Sequence, residues 1–276
     1  MAMQGRTAVI TGTARAAGIG QACAKLLYNK GYNIVGIDNA EHEFAADAAW
    51  HTAEQQAATA AAAVAGSAVA KSDKPQPRCA WLKVDLSQPD LILSVPEQMQ
   101  QLGVKSVNVL VNNAGISNPY MQSDSLAERA ALWQGYIATN LTAPFLLSEA
   151  VLPLMVQGEG SIIHVSSTRA LQSERHSEGY AAAKAGLLGL THAQAASLAP
   201  KRIRVNAVLP GWIDTSGTPE DITQEQHEWQ WTGSVGSPAD IAELVLFLAD
   251  PAKSGFITGQ HFVADGGVTK RMTYPE

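Results

Sequence analysis

The chain has 276 residues, of which 46% are hydrophobic, and its 19 basic and 25 acidic side chains give a formal net charge of −6. This length suits one large α/β domain or two small ones, and the apolar content excludes global disorder. The acidic balance argues against nucleic acid as a partner, because phosphate backbones select basic faces. With no apolar stretch of about 18 residues and no signal-peptide pattern, we expect a cytoplasmic protein without a membrane partner.

Short apolar runs alternate with helix-length segments along almost the whole chain. The runs are continuous rather than alternating in polarity, which is typical of strands covered on both faces. They predict strands at Thr7–Thr11, Asn33–Asp38, Ala80–Asp85, Val107–Asn112, Ser161–Ser166, Arg204–Leu209 and His261–Ala264, with helices such as Gln21–Lys30, Leu126–Val156, Tyr180–Ala199 and Pro238–Ala249. Repeated βα units predict one doubly wound α/β domain over residues 1–276, with a seven-stranded, mostly parallel sheet and helices on both faces.

One segment, at about residues 41–78, is longer than this alternation needs. Fourteen of the 26 residues from Ala45 to Ala70 are alanine. Alanine is the strongest helix former, so we predict a helical insertion here. A surface insertion costs little loop entropy and is the preferred interpretation, with a contact to a neighbouring subunit as the alternative.

The stretch "TGTARAAGIG" (residues 11–20) separates the first predicted strand from the first helix. Glycines in this setting either form a simple turn or bring backbone N–H groups close to a phosphate at the helix N-terminus. In the second interpretation Gly12 allows the turn, and Gly18 and Gly20 allow the close approach. Asp38 ends the next strand, where a carboxylate accepts hydrogen bonds from ribose hydroxyls in dinucleotide-binding proteins.

The stretch "YAAAKAG" carries candidate acid–base chemistry. Tyr180 and Lys184 are four residues apart and therefore share one helical face. Tyrosine has an ordinary pKa of about 10, and a nearby ammonium lowers it by stabilising the phenolate. Upstream, "SIIHVSSTRA" is a predicted strand that ends in Ser166 and Ser167, and Ser167 precedes Tyr180 by 13 residues.

These segments together resemble the short-chain dehydrogenase/reductase family, whose glycine-loop pattern is TGxxxGxG. The chain matches that pattern with two residues inserted before Gly18, which we expect to widen the loop. Further similar segments are "LVNNAG", "RVNAVLPGWIDT" and "ITGQHFVADGG", so the resemblance covers nearly the whole chain. It implies a Rossmann fold and a nicotinamide cofactor bound by Gly12, Arg15, Gly18, Ile19, Gly20, Asp38, Asp85, Leu86, Asn113, Ala114, Gly115, Tyr180, Lys184, Pro210, Gly211, Ile213 and Thr215.

The same resemblance implies a catalytic set of four residues. Tyr180 exchanges a proton with the substrate, and Lys184 lowers the pKa of Tyr180 and binds the nicotinamide ribose. Ser167, at the family's serine-to-tyrosine spacing, hydrogen-bonds the substrate oxygen, with Ser166 as the structural alternative. Asn140, in "ATNLTAPF", bends its helix and holds a water that connects Lys184 to solvent. The Tyr-x-x-x-Lys spacing argues against the enoyl-reductase branch and favours an alcohol or carbonyl substrate.

Cofactor choice depends on two residues of opposite charge. In relatives that prefer NADP, a basic residue in the glycine loop pairs with the 2′-phosphate, and Arg15 is a candidate for this role. Asp38 would repel the same phosphate, while Arg15 is long enough to turn to solvent. We predict NAD, with NADP as the alternative.

A polar segment at about residues 212–237 corresponds to the part of the family that covers the substrate. It contains three tryptophans, whose rings either stack on a sugar or close a lid. Arg169, Gln172, Trp212 and His227 are candidate substrate contacts, with solvated loop residues as the alternative. We predict an NAD(P)-dependent oxidoreductase that acts on a small sugar, polyol or hydroxy acid.

Two other functions remain open at the level of the sequence. One is a dinucleotide-binding sensor without catalysis, and the other is a reductase of carrier-linked ketoacyl chains. No metal is predicted, because the seven histidines show no ligand spacing. By analogy with the family we expect a homo-oligomer, either a dimer or a tetramer.

Overall fold

A parallel sheet of seven strands forms the centre of the molecule, in a computed structural model that describes residues 5–40 and 78–272. The strand order is β3-β2-β1-β4-β5-β6-β7. The strands are β1 (Thr7–Thr11), β2 (Asn33–Asp38), β3 (Cys79–Lys83), β4 (Val109–Asn112), β5 (Ser161–Val165), β6 (Arg204–Pro210) and β7 (His261–Ala264). All six strand pairings are parallel, so the doubly wound sheet is confirmed and is more uniform than the mostly parallel one predicted.

Helices cover both faces of this sheet. They are α1 (Ile19–Asn29), α2 (Pro89–Leu93), α3 (Val95–Gln101), α4 (Leu126–Ile137), α5 (Ala143–Val151), α6 (Glu178–Leu198), α7 (Gln224–Glu228), α8 (Pro238–Ala249) and α9 (Pro251–Ser254). Successive strand residues point to opposite faces, so Val9 joins one core cluster while Ala8 and Ile10 join the other. Helices α1 and α8 pack against one face, and α2, α3 and α5 pack against the other.

The predicted helix Leu126–Val156 is divided in the structure. A π-helical turn, Ala138–Thr142, separates α4 from α5, and a 3₁₀ turn, Leu152–Leu154, ends the segment before the predicted limit. By length and composition alone, the stretch Leu126–Leu154 is apolar enough to cross a membrane. The core helices of soluble proteins pass the same test. Here α5 buries Leu147 and Val151 in a core cluster.

Several other predicted boundaries move by one or two residues. β3 ends at Lys83, which leaves Asp85 in the following loop, and β4 begins at Val109 because Val107 makes only an isolated bridge with Met155. The predicted helical insertion at about 41–78 lies outside the described residues apart from Arg78.

Candidate active site

A cleft of about 1740 Å³ runs along the carboxyl ends of the strands. In a parallel sheet these ends meet at one edge, and the loops that follow them converge there. The lining comes from distant parts of the chain, including Gly12, Arg15, Gly18, Ile19, Asp38, Asp85, Leu86, Asn113, Ala114, Gly115, Ser167, Arg169, Gln172, Tyr180, Lys184, Pro210, Gly211, Trp212, Ile213 and Thr215. Most residues predicted to bind cofactor or substrate therefore share one cavity.

The glycine loop forms one end of the cleft. Gly12 has φ +74°, a left-handed conformation that favours glycine. A Cβ at Gly20 would lie 2.3 Å from the Gly12 carbonyl oxygen, so Gly20 serves the packing of α1 on the loop. Gly18 is the N-cap of α1, whose first turn has neither an acidic residue nor a side-chain cap. The positive end of this helix is left without a neutralising side chain, as an anion site requires.

The segment after β4 is hydrogen-bonded directly to the glycine loop. Thr11 Oγ1 accepts from the backbone N–H groups of Asn113 at 2.9 Å and Ala114 at 2.8 Å. Asn113 Nδ2 donates to the Thr11 carbonyl at 2.9 Å. These bonds fix the two loops at the spacing that opens the cleft between them.

Asp38 and Arg15 have different neighbours. Asp38 Oδ2 accepts from Ala14 N–H at 2.8 Å, and Oδ1 accepts from Ala40 N–H at 3.2 Å, so the carboxylate is held at the end of β2. Arg15 is exposed, and its Nη1 lies 3.5 Å from Thr215 Oγ1 in the segment after β6.

The predicted catalytic side chains lie between β5 and α6. Ser167 Oγ accepts from Arg169 N–H at 3.2 Å and caps a short 3₁₀ turn. Ser166 Oγ instead donates to the Lys184 carbonyl at 2.7 Å, which is a structural contact. Lys184 Nζ donates to the Val165 carbonyl at 2.8 Å and lies 5.6 Å from the Tyr180 ring centroid.

The acid–base properties of these groups follow from burial and from their neighbours. Burial raises the pKa of Tyr180, while its hydrogen bond with Ser167 and the charge of Arg169 lower that pKa. Burial lowers the pKa of Lys184 to about 8. Arg169 is thus one positive charge that lowers the pKa of Tyr180, and the predicted contribution of Lys184 stays a prediction.

Asn140 lies behind the cleft rather than in its wall. The side chain is buried in the π-helical turn, where Oδ1 accepts from Ile116 N–H at 2.8 Å and Nδ2 donates to the Ile116 carbonyl at 3.2 Å. A Cβ at Gly115 would lie 2.9 Å from Asn140 Oδ1 and 3.7 Å from Lys184 Nζ. Asn140 is thus hydrogen-bonded to the segment around Ile116, which separates the Asn140 side chain from the cavity.

Polar groups surround the end of the cleft beyond Tyr180. Arg169 Nη2 forms an ion pair with Glu174 at 2.6 Å, and the Tyr120 hydroxyl donates to the same carboxylate at 2.6 Å. Gln172 Nε2 donates to the Thr269 carbonyl at 2.9 Å, which joins the loop after β5 to the segment after β7.

The predicted covering segment closes one side of this end. Trp212 and Trp229 line the cavity, and the Arg271 guanidinium lies 4.0 Å from the Trp229 ring centroid and donates to the Trp229 carbonyl at 2.7 Å. His227 is absent from the described lining; its Nδ1 accepts from Val235 N–H at 3.1 Å inside the segment.

Sequence reasoning missed three residues that line this end, namely Gln230, Val268 and Thr269. Trp229, one of the three tryptophans predicted either to stack on a sugar or to close a lid, lines the cavity. The residues after Gly267 lie beyond the last strand, and the sequence carries no signal that they fold back over the cleft.

Comparison with known proteins agrees with this geometry. A family model described as Enoyl-(Acyl carrier protein) reductase matches residues 41–269. An uncharacterized oxidoreductase of Thermotoga maritima is 35% identical, with 99% of this chain and 100% of that protein covered. The 3-oxoacyl-(acyl-carrier-protein) reductase FabG of Chlamydia muridarum is 33% identical, with 95% and 97% covered.

A solved structure gives the same result at the level of the fold. The crystal structure of acetoin dehydrogenase YohF from Salmonella typhimurium is similar with a TM-score of 0.74 and 30% identity, covering 97% of this chain and 99% of that one. The fold and the cleft define a nucleotide-binding α/β oxidoreductase. The chain belongs to the short-chain dehydrogenase/reductase family, whose members use NAD(P).

Proposed function

We propose that this protein interconverts a secondary alcohol and a ketone on a small polar substrate, with NAD as the preferred cofactor and Tyr180 as the acid–base group. One observation carries the proposal. Ser167, Tyr180 and Lys184 line the same cavity as the glycine loop and Asp38, so a dinucleotide bound at one end would present its reactive ring to the tyrosine at the other.

The residues of the cleft fit a dinucleotide. The N-terminus of α1 has no side-chain cap and no acidic residue in its first turn, which suits a pyrophosphate. Asp38 is fixed by two backbone N–H groups at the place expected for the adenosine ribose, where its charge would disfavour a 2′-phosphate. When bound, the nicotinamide supplies the hydride chemistry of the reaction. Preference for NAD follows from Asp38.

The chain's own residues supply the proton and the orientation. Tyr180 accepts the hydroxyl proton during oxidation and returns it during reduction. Ser167 donates a hydrogen bond to the substrate oxygen, where charge develops. Lys184 is buried one helical turn from Tyr180, where it would bind the nicotinamide ribose and lower the pKa of Tyr180. The spacing of Tyr180 and Lys184 favours a carbonyl or alcohol over a carbon–carbon double bond.

The polar lining supports a small hydroxylated substrate. Arg169, Gln172, Glu174 and Gln230 bring hydrogen-bonding groups to this end, and Trp212 and Trp229 give it aromatic surface. These groups suit a sugar, a polyol or a hydroxy acid better than a wholly apolar molecule.

A second candidate is reduction of carrier-linked 3-oxoacyl chains, favoured by the FabG relative. Docking of an acidic carrier would need unpaired positive charge at the mouth of the cleft. Arg169 is paired with Glu174, which weakens this alternative.

The deciding experiment follows NADH and NADPH consumption separately with ketoses, hydroxyketones, diketones, keto acids and acetoacetyl-CoA. We expect turnover with NADH on at least one small polar carbonyl. Because Tyr180→Phe removes only the ionisable hydroxyl, it should lower kcat by at least about 100-fold, the range of general acid–base catalysis.

Each other outcome of this assay has a definite meaning. Activity confined to acetoacetyl-CoA would replace the small substrate with the carrier-linked one. Tight NADH binding without turnover on any compound would favour a sensor. Unchanged turnover in Tyr180→Phe would reject the role of Tyr180 in proton transfer.

A further inference from the structure

The glycine loop is two residues longer than the pattern it resembles, and it contacts the segment after β6. Five residues separate Gly12 from Gly18. The loop approaches the segment after β6 at two places. Arg15 Nη1 lies 3.5 Å from Thr215 Oγ1, and a Cβ at Gly217 would lie 3.6 Å from Ala17 Cβ. The loop therefore meets the segment after β6, and both line the cavity.

Arg15 and Asp38 lie at different parts of the cavity. Asp38 lies at the end of β2 and is engaged by Ala14 and Ala40 N–H groups. Thr215 follows β6, on the other side of the glycine loop in the strand order. Gly18 and Ile19, at the N-terminus of α1, line the same cavity as Arg15 and Thr215.

Within residues 5–40 and 78–272, no acidic side chain forms an ion pair with the Arg15 guanidinium. The nearest acidic side chain in the facing segment is Asp214 by sequence, and its Oδ1 accepts from Ser216 N–H at 2.9 Å and from Ser216 Oγ at 2.6 Å. Asp38 is bound to the backbone of the loop itself. Arg15 and the N-terminus of α1 thus both bring positive charge to this cavity.

We infer that Arg15 binds the pyrophosphate of the dinucleotide from above and, with Thr215, closes the cleft over it, while reading of the adenosine 2′ position is left to Asp38. This inference rests on the proposed dinucleotide site. It separates affinity, set in part by Arg15, from cofactor choice, set by Asp38.

Pyrophosphate binding by Arg15 can be distinguished from 2′-phosphate binding by comparing the two cofactors. NADH and NADPH carry the same pyrophosphate, so loss of Arg15 should weaken both by the same factor. Charge-assisted hydrogen bonds to phosphate are among the stronger ones, and for an exposed arginine we expect about a 10-fold rise in each Kd. The ratio of the two Kd values should not change.

The test titrates Arg15→Gln with NADH, NADPH and ADP-ribose, following binding by calorimetry. Lys30→Gln is the matched control, since it removes one positive charge at the opposite end of α1. We expect all three Kd values to rise about 10-fold in Arg15→Gln and to stay within about 2-fold in the control. Asp38→Ala should improve NADPH relative to NADH by the same factor with or without Arg15, because Asp38 is assigned to the 2′ position and Arg15 to the pyrophosphate that both cofactors carry.

Selective loss of NADPH binding in Arg15→Gln would overturn the inference and assign Arg15 to the 2′-phosphate. Unchanged binding of all three ligands would overturn it by showing a solvated side chain. A wild-type chain that binds no dinucleotide would instead reject the proposed function itself, and the two failures are therefore distinguishable.

Discussion

At the scale of single residues, the electrostatics around Tyr180 determine the pH range in which it can take a proton. Burial raises the pKa of this phenol, the Ser167 hydrogen bond and the Arg169 charge lower it, and Tyr136 raises it. Arg169 is itself held by Glu174 at 2.6 Å, while its backbone N–H donates to Ser167 Oγ. Arg169 thus affects both side chains that we propose contact the substrate oxygen.

We predict that Arg169→Gln moves the pH profile of alcohol oxidation toward higher pH. Removal of the positive charge raises the pKa of Tyr180, so more alkaline solution is needed to form the phenolate that accepts the proton. The measurement is kcat against pH in the oxidation direction, with Arg175→Gln as the control for an exposed arginine in the same loop. Identical profiles for the wild type and Arg169→Gln would contradict this electrostatic role.

At the scale of elements, the segment after β7 holds the covering segment in place. Arg271 binds the Trp229 carbonyl at 2.7 Å and stacks on the ring. Trp231 N–H donates to the Gly266 carbonyl at 2.8 Å, and a Cβ at Gly267 would lie 2.7 Å from the Trp231 ring. The Gln172–Thr269 bond joins the same segment to the loop that carries Ser167.

We predict that Arg271→Gln raises KM for the substrate by about 5-fold, the effect of losing about 1 kcal/mol from a cation–π contact and its hydrogen bond. The Kd of NADH should change much less, because the lost contact lies at the substrate end. Steady-state kinetics and NADH titration separate these two effects. Lys270→Gln removes a charge from the neighbouring exposed residue. An equal rise in KM in that variant would argue against a specific role of the Arg271–Trp229 contact.

The sequence predicts elements well where a local pattern determines them. Continuous apolar runs place every strand of the sheet to within two residues, because strands buried on both faces need apolar side chains throughout. The division of the predicted helix Leu126–Val156 escapes such reasoning. A π-helical turn around Asn140 depends on bonds to Ile116, 24 residues away in the chain.

The same distinction applies to the candidate site. Gly12, Ser167, Tyr180 and Lys184 could be selected because their spacing resembles a family pattern, and the structure brings them to one cavity. Contacts across the cleft depend instead on how loops of different strands meet. The approach of Arg15 to Thr215 spans 200 residues of sequence, and no local pattern encodes it.

At the scale of the whole molecule, a buried polar network joins the sheet to its helices. His164 in β5 is fully buried, with Nδ1 3.1 Å from Asn112 Nδ2 in β4 and Nε2 3.0 Å from Gln194 Oε1 in α6. Asn112 Nδ2 also lies 3.2 Å from Ser148 Oγ in α5. An amide nitrogen only donates, so Nδ1 accepts and the Nε2 proton goes to Gln194. The network requires a neutral imidazole.

This requirement makes folding stability depend on pH. Burial lowers the pKa of His164 from 6.5 to about 4, with the Lys184 charge acting in the same direction and the Gln194 bond opposing it. The folded pKa lies below the unfolded one, so the unfolded chain binds the proton first as pH falls. The contribution of His164 to the free energy of unfolding is therefore constant well above pH 6.5. It decreases as the pH falls from about 6.5 to about 4.

From these pKa values we predict that protonation of His164 lowers the free energy of unfolding by about 2 kcal/mol as the pH falls from 7 to 5. Urea unfolding at the two pH values measures the total change, and His164→Gln should show a decrease smaller by that amount. The variant is expected to be less stable than the wild type at pH 7, because it loses part of the network. His192→Gln, which alters an exposed histidine on α6, should keep the wild-type pH dependence. If His164→Gln lost as much stability as the wild type between the two pH values, protonation of this histidine would not be the cause, and the acid sensitivity would have to come from other groups.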